Sequence, residues 1–290
     1  MSKPEVNQRI VYQACVSGIG DSSRRSRCAS ITQLMEDGES AYEQMGEARE
    51  FYRATSHPRG GGDRSLLLTA TRDDLKSLYS EQMVPATKTA RKFYNLIKMS
   101  AKGNLCPFCG FGSVETLDHF LPKSRYSNYS ILPLNLVPSC RDCNTIKAGT
   151  ECTQDNISSH PYFEDADVVR DEWLRAEIVE SENVIATFAA LPPEHWPAQR
   201  ARRIINHFDS FDLARRYGIQ AATRFTAFAE LIVGLEKGDN KPMLPLLLSA
   251  MHRAEVRATG INSWQAALLS AICRSGYFLE KGFRKFVQTP

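Results

Sequence analysis

Over the first hundred positions, apolar residues recur at helical spacing. Ile31, Leu34, Met35, Tyr42, Met45 and Phe51 do so loosely, which predicts a helix over 31–56. Residues 72–99 predict two more, with Thr71 or Asp73 as the first cap and Pro85 as the divider. Phe93, Leu96 and Ile97 give the second of these an apolar side. In between, Pro58-Arg59-Gly60-Gly61-Gly62-Asp63 breaks the pattern. Glycine clusters can cradle phosphate, but the Gly-Lys-Ser/Thr ending of a phosphate loop is missing. A plain flexible loop is expected.

The period changes after residue 100. Residues 101–150 are cysteine-rich, punctuated by proline and poor in helical spacing. His160-Pro161-Tyr162-Phe163 follows. Leu174–Val179 and Asn183–Ala189 then flank a polar turn at Glu180–Glu182, which predicts a β-hairpin. From Pro192 onward the pattern is helical again. Phe225, Phe228, Ile232 and Leu235 share one helical face, as do Trp264, Leu268, Ala271 and Ile272. The expected class is α+β. A helical region (1–100) precedes a small metal-organised module (101–160), and a hairpin with a helical domain follows (161–290).

Composition narrows this picture. The chain has 290 residues, 42% hydrophobic and 24% charged, so it can bury a core, and wholesale disorder is excluded. A formal charge of +3 is too small to attract a polyanion globally, so any such contact must be local. The longest apolar run, Met243–Met251, is interrupted by Pro245 and Ser249, and no membrane span is expected. The first residues lack the apolar stretch of an export signal, so a cytoplasmic location is expected. In that reducing setting the eight cysteines read as metal ligands or core thiols.

The strongest chemical signal is Cys106-Pro107-Phe108-Cys109 with Cys140-Arg141-Asp142-Cys143. Each Cys-x-x-Cys can form a knuckle, and four thiolates at about 2.3 Å suit a structural Zn²⁺. Gly110 suits the tight turn of the first knuckle. A closed four-sulfur site leaves no open position, so this ion is expected to hold structure and not to catalyse. Cys15, Cys28, Cys152 and Cys273 fit neither knuckle and read as ordinary thiols.

Between the knuckles lies Leu117-Asp118-His119-Phe120-Leu121-Pro122-Lys123-Ser124. Asn135-Leu136 comes next, and Asn144 overlaps the second knuckle. The assembly from Cys106 to Lys147 resembles the HNH endonucleases of the ββα-metal (His-Me finger) superfamily, with Asn144 where a histidine is commoner. The resemblance implies a ββα-metal module with a catalytic Mg²⁺ or Mn²⁺ held by Asp118 and Asn144. It makes His119 the general base and Asn135 a brace for the loop, and the implied reaction is phosphodiester hydrolysis in DNA.

Elementary chemistry runs parallel to that resemblance. Consecutive side chains of a strand point to opposite faces, so Asp118 and His119 can address different parts of one site. Imidazole titrates near neutrality and can take a proton from water. A hard cation prefers oxygen ligands and keeps several waters, so few protein ligands suffice. Lys123, Ser124, Arg125 and Lys147 flank the motif and are candidates for holding backbone phosphates. Phe108, Phe111, Phe120 and Tyr126 read as core of the small module.

His160 is expected to pin the module to its helical surroundings, with an accessory role at the site as the alternative. Arg200, Arg202, Arg203, Arg215 and Arg216 read as a solvated helix face, with a DNA-tracking surface as the alternative. Arg24, Arg25 and Arg27 leave the same choice, between a solvated segment and a mobile basic arm. No recognition helix is evident, and RNA as the substrate stays open. The Leu-Asp-His-x-Leu-Pro-Lys-Ser, Asn-Leu-Val-Pro-Ser-Cys and His-Pro-Tyr-Phe elements also resemble HNH proteins of anti-phage systems such as Septu. That resemblance implies a separately encoded partner ATPase of the ABC/SMC-like kind. The competing expectation is a zinc module that holds nucleic acid or protein without cutting.

Overall fold

The computed structural model describes residues 1–58, 65–67, 69–147 and 149–287. It is mixed α+β, mostly helical, with small antiparallel sheets. The chain folds as two compact units, Met1–Glu164 and Asp165–Pro290. The glycine-rich loop expected after Pro58 falls on 59–63, outside the described residues. Among the described residues no helix is long and apolar enough to cross a membrane.

The first unit opens with α1 (Gln8–Ser17), α2 (Ser22–Ala29) and α3 (Thr32–Ala48). The Asn7 and Asp21 side chains accept from the Ile10 and Arg24 amides, which satisfies orphan donors at the starts of α1 and α2. α1 buries Val11, Tyr12, Cys15 and Val16, one stripe at helical spacing. The helix expected to run to residue 56 stops at Ala48. Arg49 adopts φ +58°, and the Arg49 and Glu50 amides turn back onto the Gly46 and Met45 carbonyls. That crossed pair of bonds is a Schellman end, which closes the helix before Phe51.

Two of the three arginines of α2 are held by acidic partners. Arg27 forks onto Asp74 at 2.9 and 3.0 Å, and Arg24 reaches Glu81 at 2.7 Å. Carboxylates distant in sequence supply the order that a local reading of Ser-Ser-Arg-Arg could not anticipate.

A short antiparallel pair, β1 (Ser65–Leu67) and β2 (Ala70–Thr71), leads into α4 (Arg72–Ser77). Thr71 and Asp74 form a reciprocal capping box, a feature that contributes about 1 kcal/mol. α4 continues as a π-helical turn over Leu78–Met83 and gives way before Pro85. α5 (Arg91–Met99) then buries Tyr94 and Ile97, whereas Leu96, expected on the apolar side, is exposed.

β3 (Thr116–His119) and β4 (Leu136–Ser139) pair antiparallel, with Asp118 opposite Val137 and His119 opposite Leu136. α6 (Arg141–Ile146) follows β4 almost directly and packs against β3. Tyr12, Ile31, Leu75 and Leu78 share one core cluster with Leu117, Ile131 and Leu136. The N-terminal helices and the cysteine-rich stretch are therefore built on common apolar ground within one unit.

The second unit contains α7 (Ala166–Arg170) and the hairpin β5 (Leu174–Val179) and β6 (Ile185–Ala190). Five helices follow: α8 (Ala198–Ser210), α9 (Leu213–Lys237), α10 (Leu244–Thr259), α11 (Trp264–Arg274) and α12 (Gly276–Glu280). Leu174, Ala176, Ala186 and Phe188 alternate inward, and α9 and α11 cover that face. The arginine stretch is not simply a solvated face. Arg203 and Arg216 are buried, while Arg200 and Arg203 bind Asp165 at 3.0 and 2.9 Å. Buried guanidinium needs such carboxylate partners, and Asp165 lies too far back in sequence to be read as one.

Candidate functional site

The first knuckle is a tight loop. The Cys106 amide donates to the Gly112 carbonyl at 2.7 Å, and the Gly110 amide to the Cys106 carbonyl at 2.8 Å. Gly110 sits at φ +74°, a conformation that costs most side chains energy. Gly112 answers to a different constraint. A Cβ there would lie 2.8 Å from Cys140 Sγ, so only glycine lets the two knuckles close. In the second knuckle Cys140 is the N-cap of α6, and its sulfur accepts from the Cys143 amide.

The four sulfurs of Cys106, Cys109, Cys140 and Cys143 all lie within 4.8 Å of one another, and all four residues are buried. Cys109 and Cys140 sulfurs are 3.9 Å apart, far beyond a disulfide. Zn–S bonds of about 2.3 Å at tetrahedral angles require sulfurs about 3.8 Å apart. The donor set and its spacing therefore fit a zinc ion. Crowded without a cation, the thiols oppose one another. Hydrogen bonding with Cys106 draws Cys109 down to about 7, while a separate contact of Cys106 with Cys143 pushes Cys143 upward. A divalent ion resolves that conflict by accepting all four as thiolates.

Asp118 and His119 leave β3 on opposite faces, and both are buried. On one side, His119 Nε2 lies 2.8 Å from the Ser130 carbonyl. A carbonyl only accepts, so Nε2 carries the proton and Nδ1 keeps its lone pair. The Ser130 hydroxyl donates to the Leu75 carbonyl at 2.6 Å, fixing the acceptor in turn. Tyr79 lies edge-on to the imidazole at 4.4 Å and donates its hydroxyl to the Leu117 carbonyl. Burial, with repulsion from the Lys123 ammonium, drives the His119 pKa down to about 3. The ring is therefore neutral at ordinary pH.

On the other side, Asp118 Oδ2 pairs with Lys147 Nζ at 3.0 Å. Burial holds this carboxyl above the usual range against the pull of Lys147. The Lys147 ammonium also meets the His119 carbonyl at 3.1 Å and lies over the Phe120 ring at 4.5 Å. Asn144 is exposed on α6, one turn before Lys147 and on the same side of the helix.

The other candidates divide clearly. Lys123 Nζ sits over the Tyr79 ring at 4.5 Å, and burial lowers its pKa. Ser124 is exposed. Arg125 turns away to the Gly149 carbonyl and Glu151. Phe108, Phe120 and Tyr126 are core, and Phe111 is half-buried. Burial pushes the Cys15 and Cys152 thiols up to about 12 and Cys28 to about 11, as inert protonated groups.

Asn135 is fully buried, with its side chain saturated. Its Oδ1 accepts from Tyr42 Oη at 2.9 Å and from the Leu121 amide at 2.7 Å. Its Nδ2 donates to the Leu121 and Tyr129 carbonyls, each at 3.0 Å. The loop between β3 and β4 is thereby strung on one amide. His160 lies in an aromatic box of Phe51, Phe120 and Phe163, with ring centroids 4.9, 4.1 and 5.0 Å away. Its Nδ1 accepts from the Tyr162 amide, so Nε2 is left to donate to Tyr42 Oη at 3.3 Å. His160 thus packs and braces.

Sequence reasoning missed Tyr42, Tyr79, Ser130 and Gly112. The first three act across loops or from other helices and leave no local trace. Gly112 had one: a second glycine just after the first knuckle.

No family profile matches the chain, and no solved structure does. Protein ea31 of Escherichia phage lambda is 34% identical over 154 residues, 52% of this chain and 52% of that protein. The chain thus spans about half the length of that relative, and the two are distant homologues over the shared part.

Proposed function

We propose that this chain is a divalent-metal-dependent endonuclease of the HNH kind, with DNA as its substrate. The observation that carries the reading is the geometry of His119: its Nε2 lies 2.8 Å from a fixed carbonyl and so carries the proton, which leaves the Nδ1 lone pair with no described partner. Such a ring is prepared to take a proton from an attacking water at Nδ1. Lys123 and Lys147 place positive charge near the Asp118–His119 pair, which favours an approaching phosphate. A divalent cation held by Asp118 and Asn144 would supply Lewis acidity at that phosphate when bound. The zinc knuckles fix α6 against β3, and Asn135 fixes the loop, so the groups keep their mutual positions.

The wider reading, an anti-phage effector held in check by a partner ATPase, rests on the motif resemblance alone. A second reading, a zinc module that binds without cutting, draws support from the Lys147–Asp118 pair, which occupies the proposed cation ligand. The deciding experiment uses the zinc-loaded chain, supercoiled plasmid and Mg²⁺ or Mn²⁺. Nicking that stops with chelator and falls about 10²–10⁴-fold in His119→Ala, with zinc content unchanged, supports the nuclease. A variant that cuts like the parent removes His119 from the chemistry, and a parent that never cuts returns the module reading.

A further inference from the structure

The Lys147 ammonium bridges two oxygens of adjacent residues, Asp118 Oδ2 at 3.0 Å and the His119 carbonyl at 3.1 Å. Convergent carboxylate and carbonyl oxygens are the ligands that a hard divalent cation takes. Both side chains are sheltered: that of Asp118 is 9% exposed and that of Lys147 is 15% exposed. An ionised carboxylate in that setting requires a counter-charge. Here the chain supplies its own.

We infer that Lys147 is a built-in counter-cation holding the divalent ion's place at Asp118, so that metal uptake requires its ammonium to leave. This rests on the proposed nuclease reading and extends it to how the site is switched on. Two positive charges cannot share one carboxylate oxygen at contact distance, because their repulsion is strong where water is excluded. Lys147 and the metal are therefore mutually exclusive ligands of one position. The residue stands at the C-terminal end of α6, and its ammonium lies 5.5 Å from the Phe108 ring centroid and 4.5 Å from that of Phe120, held by ionic and hydrogen-bond contacts alone. A flexible point charge of this type can swing without moving backbone. Until metal arrives, Asp118 is neutralised and kept in place. Afterwards the displaced ammonium is on the same side of α6 as Asn144, free to meet a phosphate oxygen. Lys147 acts here as a positioning residue that sets the metal concentration at which the site opens.

The test is Mn²⁺ binding to the zinc-loaded chain, followed by electron paramagnetic resonance. Lys147→Met should bind Mn²⁺ about tenfold more tightly than the parent, and Lys147→Arg should not. Binding by Lys147→Met that is equal or weaker overturns the inference. A second measurement needs no variant. Amine acetylation of the parent, read residue by residue by mass spectrometry, should rise several-fold at Lys147 in saturating Mg²⁺. Unchanged labelling overturns the inference even if Lys147→Met fails to fold. Asp118→Asn should abolish Mn²⁺ binding, and its retention there also overturns the inference. A parent that nicks plasmid while giving these negative results leaves the nuclease reading standing. A parent that neither nicks nor binds Mn²⁺, with Lys147→Met equally inert, brings both down.

Discussion

The Tyr42 phenol donates to Asn135 Oδ1 at 2.9 Å and ties α3 to the loop that follows the candidate base His119 of β3. The bond belongs to a directed series: Tyr162 amide to His160 Nδ1, His160 Nε2 to Tyr42 Oη, Tyr42 Oη to Asn135 Oδ1. Tyr42 Oη both accepts and donates, so removing the hydroxyl takes the acceptor from His160 Nε2 and leaves Asn135 Oδ1 with the Leu121 amide alone. Tyr42→Phe is expected to lose about 1–3 kcal/mol of unfolding free energy. Urea denaturation of the zinc-saturated protein measures it, and an unchanged midpoint would show that the series carries no energy.

His160 should make stability depend on pH. Burial holds its pKa well below the ordinary imidazole value, so the folded chain leaves the ring neutral. The unfolded chain takes up that proton near pH ~6.5. Below that point the unfolded state binds more protons, and stability falls as the solution is acidified. The slope approaches about 1.4 kcal/mol per pH unit. His160→Phe should be less stable near neutrality but should lose stability less steeply between pH 6.5 and 5. Acid also strips zinc from cysteines, but from parent and variant alike, so the difference between the two curves is the quantity to measure. Parallel curves would mean that His160 is charged or accessible in the folded state.

Gly112 tests the zinc clamp without touching a ligand. A methyl group there meets Cys140 Cβ and Sγ at 2.8 Å, and neither backbone nor sulfur can retreat far from a tetrahedral site. Gly112→Ala is expected to cost about 1–3 kcal/mol and to release zinc to a chelator faster than the parent. A colorimetric zinc competition reads the rate. Parent protein should return one zinc per four-cysteine site and lose its cooperative unfolding when stripped, because structural zinc is folding free energy.

Different layers of this site were open to sequence reasoning to different degrees. The cysteine pairs were legible because metal geometry forces their spacing. The β5–β6 hairpin was legible because alternation survives in a two-stranded sheet. The limit of α3 was not, since a Schellman end at Arg49 replaces the usual glycine with a residue of no particular signal. Lys147 illustrates the deeper limit. Its place beside Asp118 depends on how α6 packs on β3, so a phosphate-binding lysine and an internal ion pair look the same in the sequence. Ser130 and Tyr79 reach His119 from a loop and another helix, and no local period encodes such meetings.

The tautomer of His119 is the most direct spectroscopic consequence of the fold. Its Nε2 faces the Ser130 carbonyl at 2.8 Å, so the Nδ1–H form would set lone pair against lone pair inside the protein. Burial keeps the ring neutral down to about 3. Long-range ¹H–¹⁵N correlation on histidine-labelled protein should therefore show the Nε2–H tautomer at pH 7, with one protonated and one pyridine-like nitrogen. Ser130→Ala should leave that signal in place, because the backbone carbonyl remains. Ser130→Pro should shift it, because a proline ring disturbs the backbone that presents the carbonyl. Finding Nδ1–H in the parent would put the proton on the nitrogen proposed to receive one, and general-base catalysis at His119 would have no acceptor.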